Sequence, residues 1–514
     1  MSQPPILYGL ETEYGISREV PGPNYDVVAE SIALVRAATQ RGVRMRWDYS
    51  CEDPHVDARG FRVEELRQDF DEANYFAQDA VRPLSFSEIK SDLALKNGAR
   101  FYNDHAHPEY CTPECATIAE LLRQDQLGDR LVMDCAEALS EKTQDGKEGR
   151  VRLYKNNTDF LGHSYGCHEN YLLQRSVPWR TISRGMLAFL VTRQVFCGAG
   201  KFGWEEEDRY GGPGFQISQR ADFFSELESV DTMQRRPIVN TRDEPHADRE
   251  HWRRFHVIVG DANLSPYSTY LKVGTTAAVL AMLGEIDPER VPQLKDPIGA
   301  IRSISRDPKR EWVCTLANGK RATALEIQQT YLELASEYCA EPSDGFQLGD
   351  WRAILEDLSG PPENVADRLD WAAKYELISK FREAEGVGED DPWLMSLDLS
   401  YHLLDESEGL FHGLREAESF MMPLGLPTRM ASEFVAPEDT RARIRGLCVQ
   451  RFGAQVEAAQ WDHVKLKEET GRLELDLRGL FSPSEVAAAA EIIEKASSVK
   501  ELSRLPFAKA VKTV

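Results

Sequence analysis

Basic residues are the minority in this chain, 61 Lys and Arg against 85 Asp and Glu, for a formal net charge of −24. A surface that acidic has no general attraction for nucleic-acid phosphates or an anionic bilayer, so neither partner is expected. Long apolar runs are also lacking. The best stretch, residues 276–283, falls well short of the roughly 18 residues that a membrane span needs and suits a buried helix face. Cysteine is sparse and odd in number, nine residues at scattered positions, which points to reduced thiols and not to a disulfide framework. The first residues lack the basic region and apolar core of a secretory signal. A cytoplasmic location is the expectation. Repeats and low-complexity tracts are missing as well. Any phosphate-bearing ligand must then be held by a local basic or metal site, against the overall field.

What is present is the composition of a folded protein, with 42% apolar and 28% charged residues over 514 positions. Length alone suggests about three domains, or one large core. Strand-like segments recur at 98–104, 150–156, 166–173, 214–219, 237–241 and 254–262, with helical stretches at 115–143, 177–196, 267–285 and 325–340. Irregular connections and polar–apolar alternation predict an α+β domain around a largely antiparallel sheet, not the βαβ rhythm of a Rossmann domain. Pro423, Pro427 and Pro437 place a boundary that divides 1–425 from a small C-terminal unit, 426–514. That unit is expected to hold helices at 438–451 and 483–496 around a strand-like 461–477. Residues 48–95 differ, with twelve acidic and five basic residues and a helix-like pattern only over 63–76. Such an insertion is either a mobile lid or a solvated peripheral helix pair.

Three familiar motifs fail on context. Residues 198–203 fit G-x-G-x-x-G, but a helix-like stretch precedes them and acidic residues follow, so no helix N-terminus meets a pyrophosphate. Residues 162–166 fit G-x-S-x-G, yet Ser164 precedes a strand, unlike a nucleophile elbow. His105, His107, Cys111 and Cys115 are too irregularly spaced for a structural zinc site.

The stretch 97–110 is dense in chemistry. On a strand, Arg100, Tyr102 and Asp104 share one face, with no apolar residue between them. A core-facing strand is not built this way, because buried unpaired polar groups cost kilocalories. Glu109 follows after a proline-containing bend. Glu11 and Glu13 share a face of the first strand, His168 and Asn170 a face of another, and Arg254 and His256 a face of a third. Each histidine alone reads as a satisfied structural residue. Several strands that each offer a carboxylate or an imidazole to one face change that reading. Glu11, Glu13, Glu109, His168 and His256 supply hard oxygen and nitrogen ligands without thiolate, which suits magnesium or manganese holding nucleotide phosphates. Arg242 and Arg254 are candidates to neutralise those phosphates, and bound metal would dominate the local field.

At these residues the chain resembles the Pup ligase/deamidase family, enzymes that handle the prokaryotic ubiquitin-like protein Pup. The resemblance is carried by 9–15, 97–110, 154–159, 164–172, 240–248 and 253–263, and it runs from the first strand to Trp461. It implies a glutamine-synthetase-like catalytic domain, a curved antiparallel sheet backed by helices with ATP and Mg²⁺ on its concave face, and a small C-terminal domain. It also implies metal ligation by Glu11, Tyr102, Glu109, His168 and His256, with Glu13 nearby. Arg100, Thr112, Asn170, Arg254 and Trp461 would contact ATP, Trp461 by stacking on the adenine, and Asp104 would be the catalytic base or nucleophile. Residues 104–109 and the acidic insertion are similar to the deamidase/depupylase branch, which hydrolyses the C-terminal glutamine amide of Pup and the Pup–lysine isopeptide bond. The ligase branch, which forms that bond, is the alternative. Pup and pupylated proteins are the implied partners. Pup is acidic, so its docking surface is expected to be basic, with residues 441–446 either that patch or an ordinary solvated helix face.

Overall fold

Alternation of polar and apolar residues with a period of two builds the centre of the protein. The computed structural model describes residues 6–19, 25–66, 83–142, 149–203, 214–338, 345–417, 420–423, 433–468 and 471–511. The central sheet has seven strands: β1 (Leu7–Glu13), β2 (Gly42–Arg44), β3 (Leu93–Leu95), β4 (Arg100–Asp104), β5 (His107–Cys111), β6 (Cys167–Gln174) and β7 (Trp252–Val257). Their order is β7-β6-β1-β5-β4-β3-β2, and every neighbouring pair is antiparallel. The expected α+β architecture is observed.

One face of the sheet is apolar. Tyr8, Leu10, Tyr171, Leu173, Phe255 and Val257 join a single large core, while Phe101 and Tyr110 join a second beside it. Long helices cover this face, among them α1 (Val27–Ala37), α2 (Ile118–Lys142), α3 (Trp179–Thr192) and α4 (Pro266–Leu283). Every residue of α4 is buried, Lys272 included, as befits a helix at the centre of a domain. The α1 start is set by Asp26, whose carboxylate accepts from the backbone N–H groups of Val28 and Ala29. None of the described helices is long and apolar enough to cross a membrane.

Several expected strands lie elsewhere than in this sheet. Val151–Tyr154 pairs with Gly15–Arg18 as a separate ribbon. The chain turns between Glu13 and Gly15, where a side chain would place its Cβ 2.7 Å from the Tyr165 hydroxyl. Arg236–Asn240 pairs in parallel with Phe224–Ser229, an exception to the antiparallel rule. Of 214–219 only Phe215–Gln216 is a strand.

Towards the C-terminus, helices α5 (Arg441–Phe452) and α6 (Pro483–Lys495) pack on a five-stranded sheet. Four of its strands are β8 (Val456–Gln460), β9 (His463–Glu468), β10 (Gly471–Asp476) and β11 (Ala508–Val511). The fifth, Arg46–Trp47, comes from the other end of the chain and runs parallel to β8. Met45, Trp47 and Ala94 are part of this unit's apolar core. The expected boundary at 425 falls within 424–432, and the helix expected over 63–76 falls mostly within 67–82; both stretches lie outside the described residues. The insertion retains two short paired strands, Val56–Asp57 and Phe61–Arg62, and a short helix, Phe86–Lys90.

Candidate active site

The polar face of the sheet gathers the side chains that the sequence singles out. Register does this: Glu11 lies opposite His168, Asn170 opposite His256, Glu13 opposite Glu109, and Glu109 opposite Tyr102. Side chains directly opposite on one face sit about 5 Å apart at Cβ, so five strands deliver carboxylates and imidazoles to one place. Two groups result. The ligand atoms of Glu11, His168 and His256 lie within 4.8 Å of one another, and so do those of Glu13, Asp104 and Glu109.

Asn170 organises the first group. Its amide donates to Glu11 Oε1 at 2.9 Å, and its oxygen accepts from Arg254 at 3.1 Å and from His256 Nδ1 at 2.9 Å. His168 Nδ1 lies 3.4 Å from Glu11 Oε2. Burial opposes ionisation of Glu11, but His168, His256 and Arg254 outweigh it and hold the carboxyl well below its ordinary value. Burial and the Arg254 charge push the His256 imidazole well down, which keeps it neutral with Nε2 available as a ligand.

The second group is crowded with like charge. Burial, followed by Asp104, Glu13 and Glu11, pushes the Glu109 carboxyl well above its ordinary value. Tyr102 donates its hydroxyl to Glu109 Oε2 at 2.8 Å, and burial keeps the phenol protonated. Tyr102 therefore holds Glu109 in place in this geometry. Asp104 is half-buried, and the Lys90 ammonium, 2.5 Å from its Oδ1, and His105 outweigh the cost of desolvation and hold it ionised. Clustered carboxylates beside neutral imidazole, with no thiolate, form a donor set that fits hard divalent cations, and such ions would relieve the repulsion.

A pocket opens next to the first group, between the sheet and the C-terminal unit. Glu11, Thr112, Asn170, Arg254 and Trp461 line it, together with His246 and Arg441. Thr112 is held there by the Leu10 amide, which donates to its hydroxyl at 3.0 Å. The Nε atoms of Arg242 and Arg254 are buried and have no hydrogen-bond partner among the described residues, which suits them to an anion.

Arg100 and Arg242 are absent from the pocket's described lining. Arg100 is enclosed: its guanidinium lies 3.7 Å from the Tyr102 ring and 4.0 Å from the Trp47 ring, and it donates to Asp92 and to Tyr49. Two of the three arginines in the 441–446 stretch are withdrawn from solvent, while Arg443 stays partly exposed and pairs with Glu494. Arg441 and Arg445 are buried, and both pair with Glu114. Charges four residues apart on a helix usually face water, but here a carboxylate waits on the opposite side of the interface.

Residues that sequence reasoning missed include Lys90, Trp47, Tyr49 and Asp92. Nothing in their local pattern marks them, and only tertiary packing brings them to Arg100 and Asp104.

Comparison with known proteins shows the family. The family described as Pup-ligase protein matches residues 6–465. The depupylase of Acidothermus cellulolyticus is 40% identical over 478 residues, covering 89% of this chain and 90% of its own length. The Pup–protein ligase of Jonesia denitrificans is 37% identical over 417 residues, covering 78% of this chain and 90% of its own. The crystal structure of the complex between the prokaryotic ubiquitin-like protein Pup and its ligase PafA superposes with a TM-score of 0.76 at 31% identity, over 97% of this chain and 94% of that one. PafA in complex with ADP gives 0.71 at 34% identity, over 85% and 96%. With a match over nearly its whole length and relatives at this identity, the chain belongs to the Pup-ligase family.

Proposed function

We propose that the protein is an ATP-dependent Pup deamidase/depupylase of the cytoplasm, hydrolysing the C-terminal glutamine amide of Pup and the isopeptide bond between Pup and a tagged lysine. The observation that carries this reading is Asp104, an ionised carboxylate on the polar sheet face beside Glu13 and Glu109. In this reading 1–425 is the catalytic unit and 426–514 the smaller one that closes the nucleotide pocket.

Glu11, Glu13, Glu109, His168 and His256 would hold Mg²⁺, with Tyr102 at the same site through Glu109. Thr112, Asn170, Arg254 and Trp461 would hold ATP, with Arg100 and Arg242 flanking them. When bound, Mg²⁺ and the nucleotide phosphates supply Lewis acidity and fixed charge around the reacting carbonyl. Asp104 acts either as base or as nucleophile. As base it takes a proton from water as the oxygen adds to the amide carbon, then returns it to the nitrogen as the C–N bond breaks. As nucleophile its oxygen adds to that carbon, and the C–N bond breaks as the nitrogen takes a proton from water and leaves as the amine. The hydroxide so formed cleaves the resulting anhydride to release the acid and restore Asp104. Both routes yield the same acid and the same free amine.

Two observations support the hydrolytic branch over the ligase. The depupylase relative aligns with more of this chain than the ligase relative, 89% against 78%. The insertion also docks beside the site: Asp57 accepts from Thr241 at 2.8 Å, and Ala58 donates to the Thr241 carbonyl at 2.8 Å, next to Arg242. The test is direct. Purified protein with ATP and Mg²⁺ is expected to release ammonia from Pup ending in glutamine, and Pup from a pupylated protein. Attachment of glutamate-ended Pup to lysine, with ATP hydrolysis and no release, would establish the ligase instead.

A further inference from the structure

Lys90 is the last residue of the short helix Phe86–Lys90, at the end of the acidic insertion. Its ammonium meets Asp104 Oδ1 at 2.5 Å and lies 5.4 Å from the Tyr102 ring centre. His105 is also nearest to Oδ1, at 3.8 Å. No described residue hydrogen-bonds Oδ2. One oxygen of the carboxylate is therefore fixed and the other is left over.

The chain around this contact is built to hold it. Ser91, directly after Lys90, and His105, directly after Asp104, both have positive φ, 51° and 53°. Non-glycine residues rarely adopt this conformation, and where they do it is enforced by their surroundings. Ser91 is clamped: its hydroxyl donates to the Glu88 carbonyl at 2.6 Å and accepts from Arg36 Nε at 3.1 Å. Arg36 also donates to the Glu88 carbonyl at 3.0 Å. Ile89 is buried with Val28, Ile32 and Ala106, and its carbonyl accepts from Asn103 at 3.3 Å. These contacts anchor the helix without help from the lysine. A partly exposed ion pair adds little to stability, so fixing the helix does not explain why a lysine sits here.

We propose that Lys90 is the positioning residue of the catalytic carboxylate: it grips Asp104 through Oδ1, sets the plane of the carboxylate and leaves Oδ2 for the reacting atoms. The insertion then contributes to the active site itself and is not merely a cover over it. The arrangement repeats the logic of a reacting group oriented by a third side chain. It rests on the reading of Asp104 as the reacting carboxylate.

The test uses the full chain, Pup ending in glutamine, ATP and Mg²⁺. Lys90→Met keeps the length of the side chain and removes the charge. It is expected to lower kcat by about 10²-fold, the loss typical of a misplaced reacting group. KM for Pup, ATP affinity and the melting temperature are expected to stay unchanged. Lys90→Arg, which restores a donor, is expected to recover most of the rate. An unchanged kcat in Lys90→Met, a change in KM alone, or an arginine variant as slow as the methionine one would each overturn the proposal. If Lys90→Met does not fold, Lys90→Gln takes its place with the same expected loss. Wild-type protein that releases no ammonia counts against the proposed function and not against Lys90. The same variants are then read on ligation of Pup to lysine, with the same expected split between kcat and KM.

Discussion

The Glu114 carboxylate bridges Arg441 and Arg445, joining the segment after β5 to the first helix of the C-terminal unit. Arg445 carries the link onward, donating to the Trp461 carbonyl at 3.0 Å with its guanidinium 4.9 Å from that ring. One acid thus fixes the wall of the pocket that Arg441 and Trp461 line. Glu114→Gln leaves two buried guanidinium groups short of a counter-charge, which typically costs about 3–5 kcal/mol. Urea unfolding at neutral pH is expected to show that loss, with weaker ATP binding in parallel. A variant as stable as wild type would mean that the arginines find another partner.

The same pair predicts a pH dependence. Burial opposes ionisation of Glu114, but Arg445 and Arg441 outweigh it and pull the carboxyl from 4.5 down to about 2. The folded value lies below the unfolded one, so the stabilisation is complete above pH 4.5 and is lost as pH falls towards 2. The stability gap between wild type and Glu114→Gln should therefore be constant above about pH 5 and shrink below it. A gap independent of pH would remove the ion pair as its cause.

The carboxylate–imidazole face predicts a metal requirement. Chelation is expected to abolish turnover, and Mg²⁺ or Mn²⁺ to restore it, because the donors are hard and include no thiolate. Glu11→Gln neutralises a proposed ligand, the carboxylate that accepts from Asn170 and faces His168. Calorimetry should show Mg²⁺–ATP affinity reduced by at least about tenfold, with the melting temperature of the metal-free protein little changed. Equal affinity in the variant would place the ion elsewhere.

Gly166 offers a test that deletes no ligand. A Cβ at this position would lie 2.3 Å from His168 Nε2, closer than van der Waals contact allows, so the imidazole must swing away. Gly166→Ala is expected to weaken Mg²⁺–ATP binding as strongly as His168→Ala does, although every liganding side chain remains. Full affinity in Gly166→Ala would show that the His168 rotamer seen here is not the binding one.

How far this site can be read from the sequence depends on the range of the interaction. The alternation through Arg100, Phe101, Tyr102, Asn103 and Asp104 is local, so the polar face of β4 follows from a period of two. Grouping Glu11 with His168 needs the pairing of strands 157 positions apart, and a strand's own pattern does not encode its partner. Val151–Tyr154 illustrates this, being recognisable as a strand yet paired outside the central sheet. Arg441 and Arg445 fail for a related reason, because only the presence of Glu114 across the interface turns a solvent-like pattern into a buried one. Lys90 is the extreme case: an ordinary lysine in an acidic segment, placed on Asp104 by the left-handed turn at Ser91.

Trp461 supplies the last test. Its ring lines the pocket and meets Trp47 edge-on, with centroids 5.4 Å apart and planes at 72°. Stacking of a base on an aromatic ring is worth about 1–3 kcal/mol, so Trp461→Ala should weaken ATP binding by about fivefold or more. The Arg445 and Trp47 contacts complicate that result, because losing the indole also loosens the wall. Trp461→Phe separates the two effects: it keeps an aromatic face for the base and should retain most of the affinity. ATP is also expected to quench the intrinsic fluorescence of the wild type more than that of Trp461→Phe. Unchanged affinity in Trp461→Ala would move the adenine away from this wall and leave Arg254 and Asn170 to hold the phosphates alone.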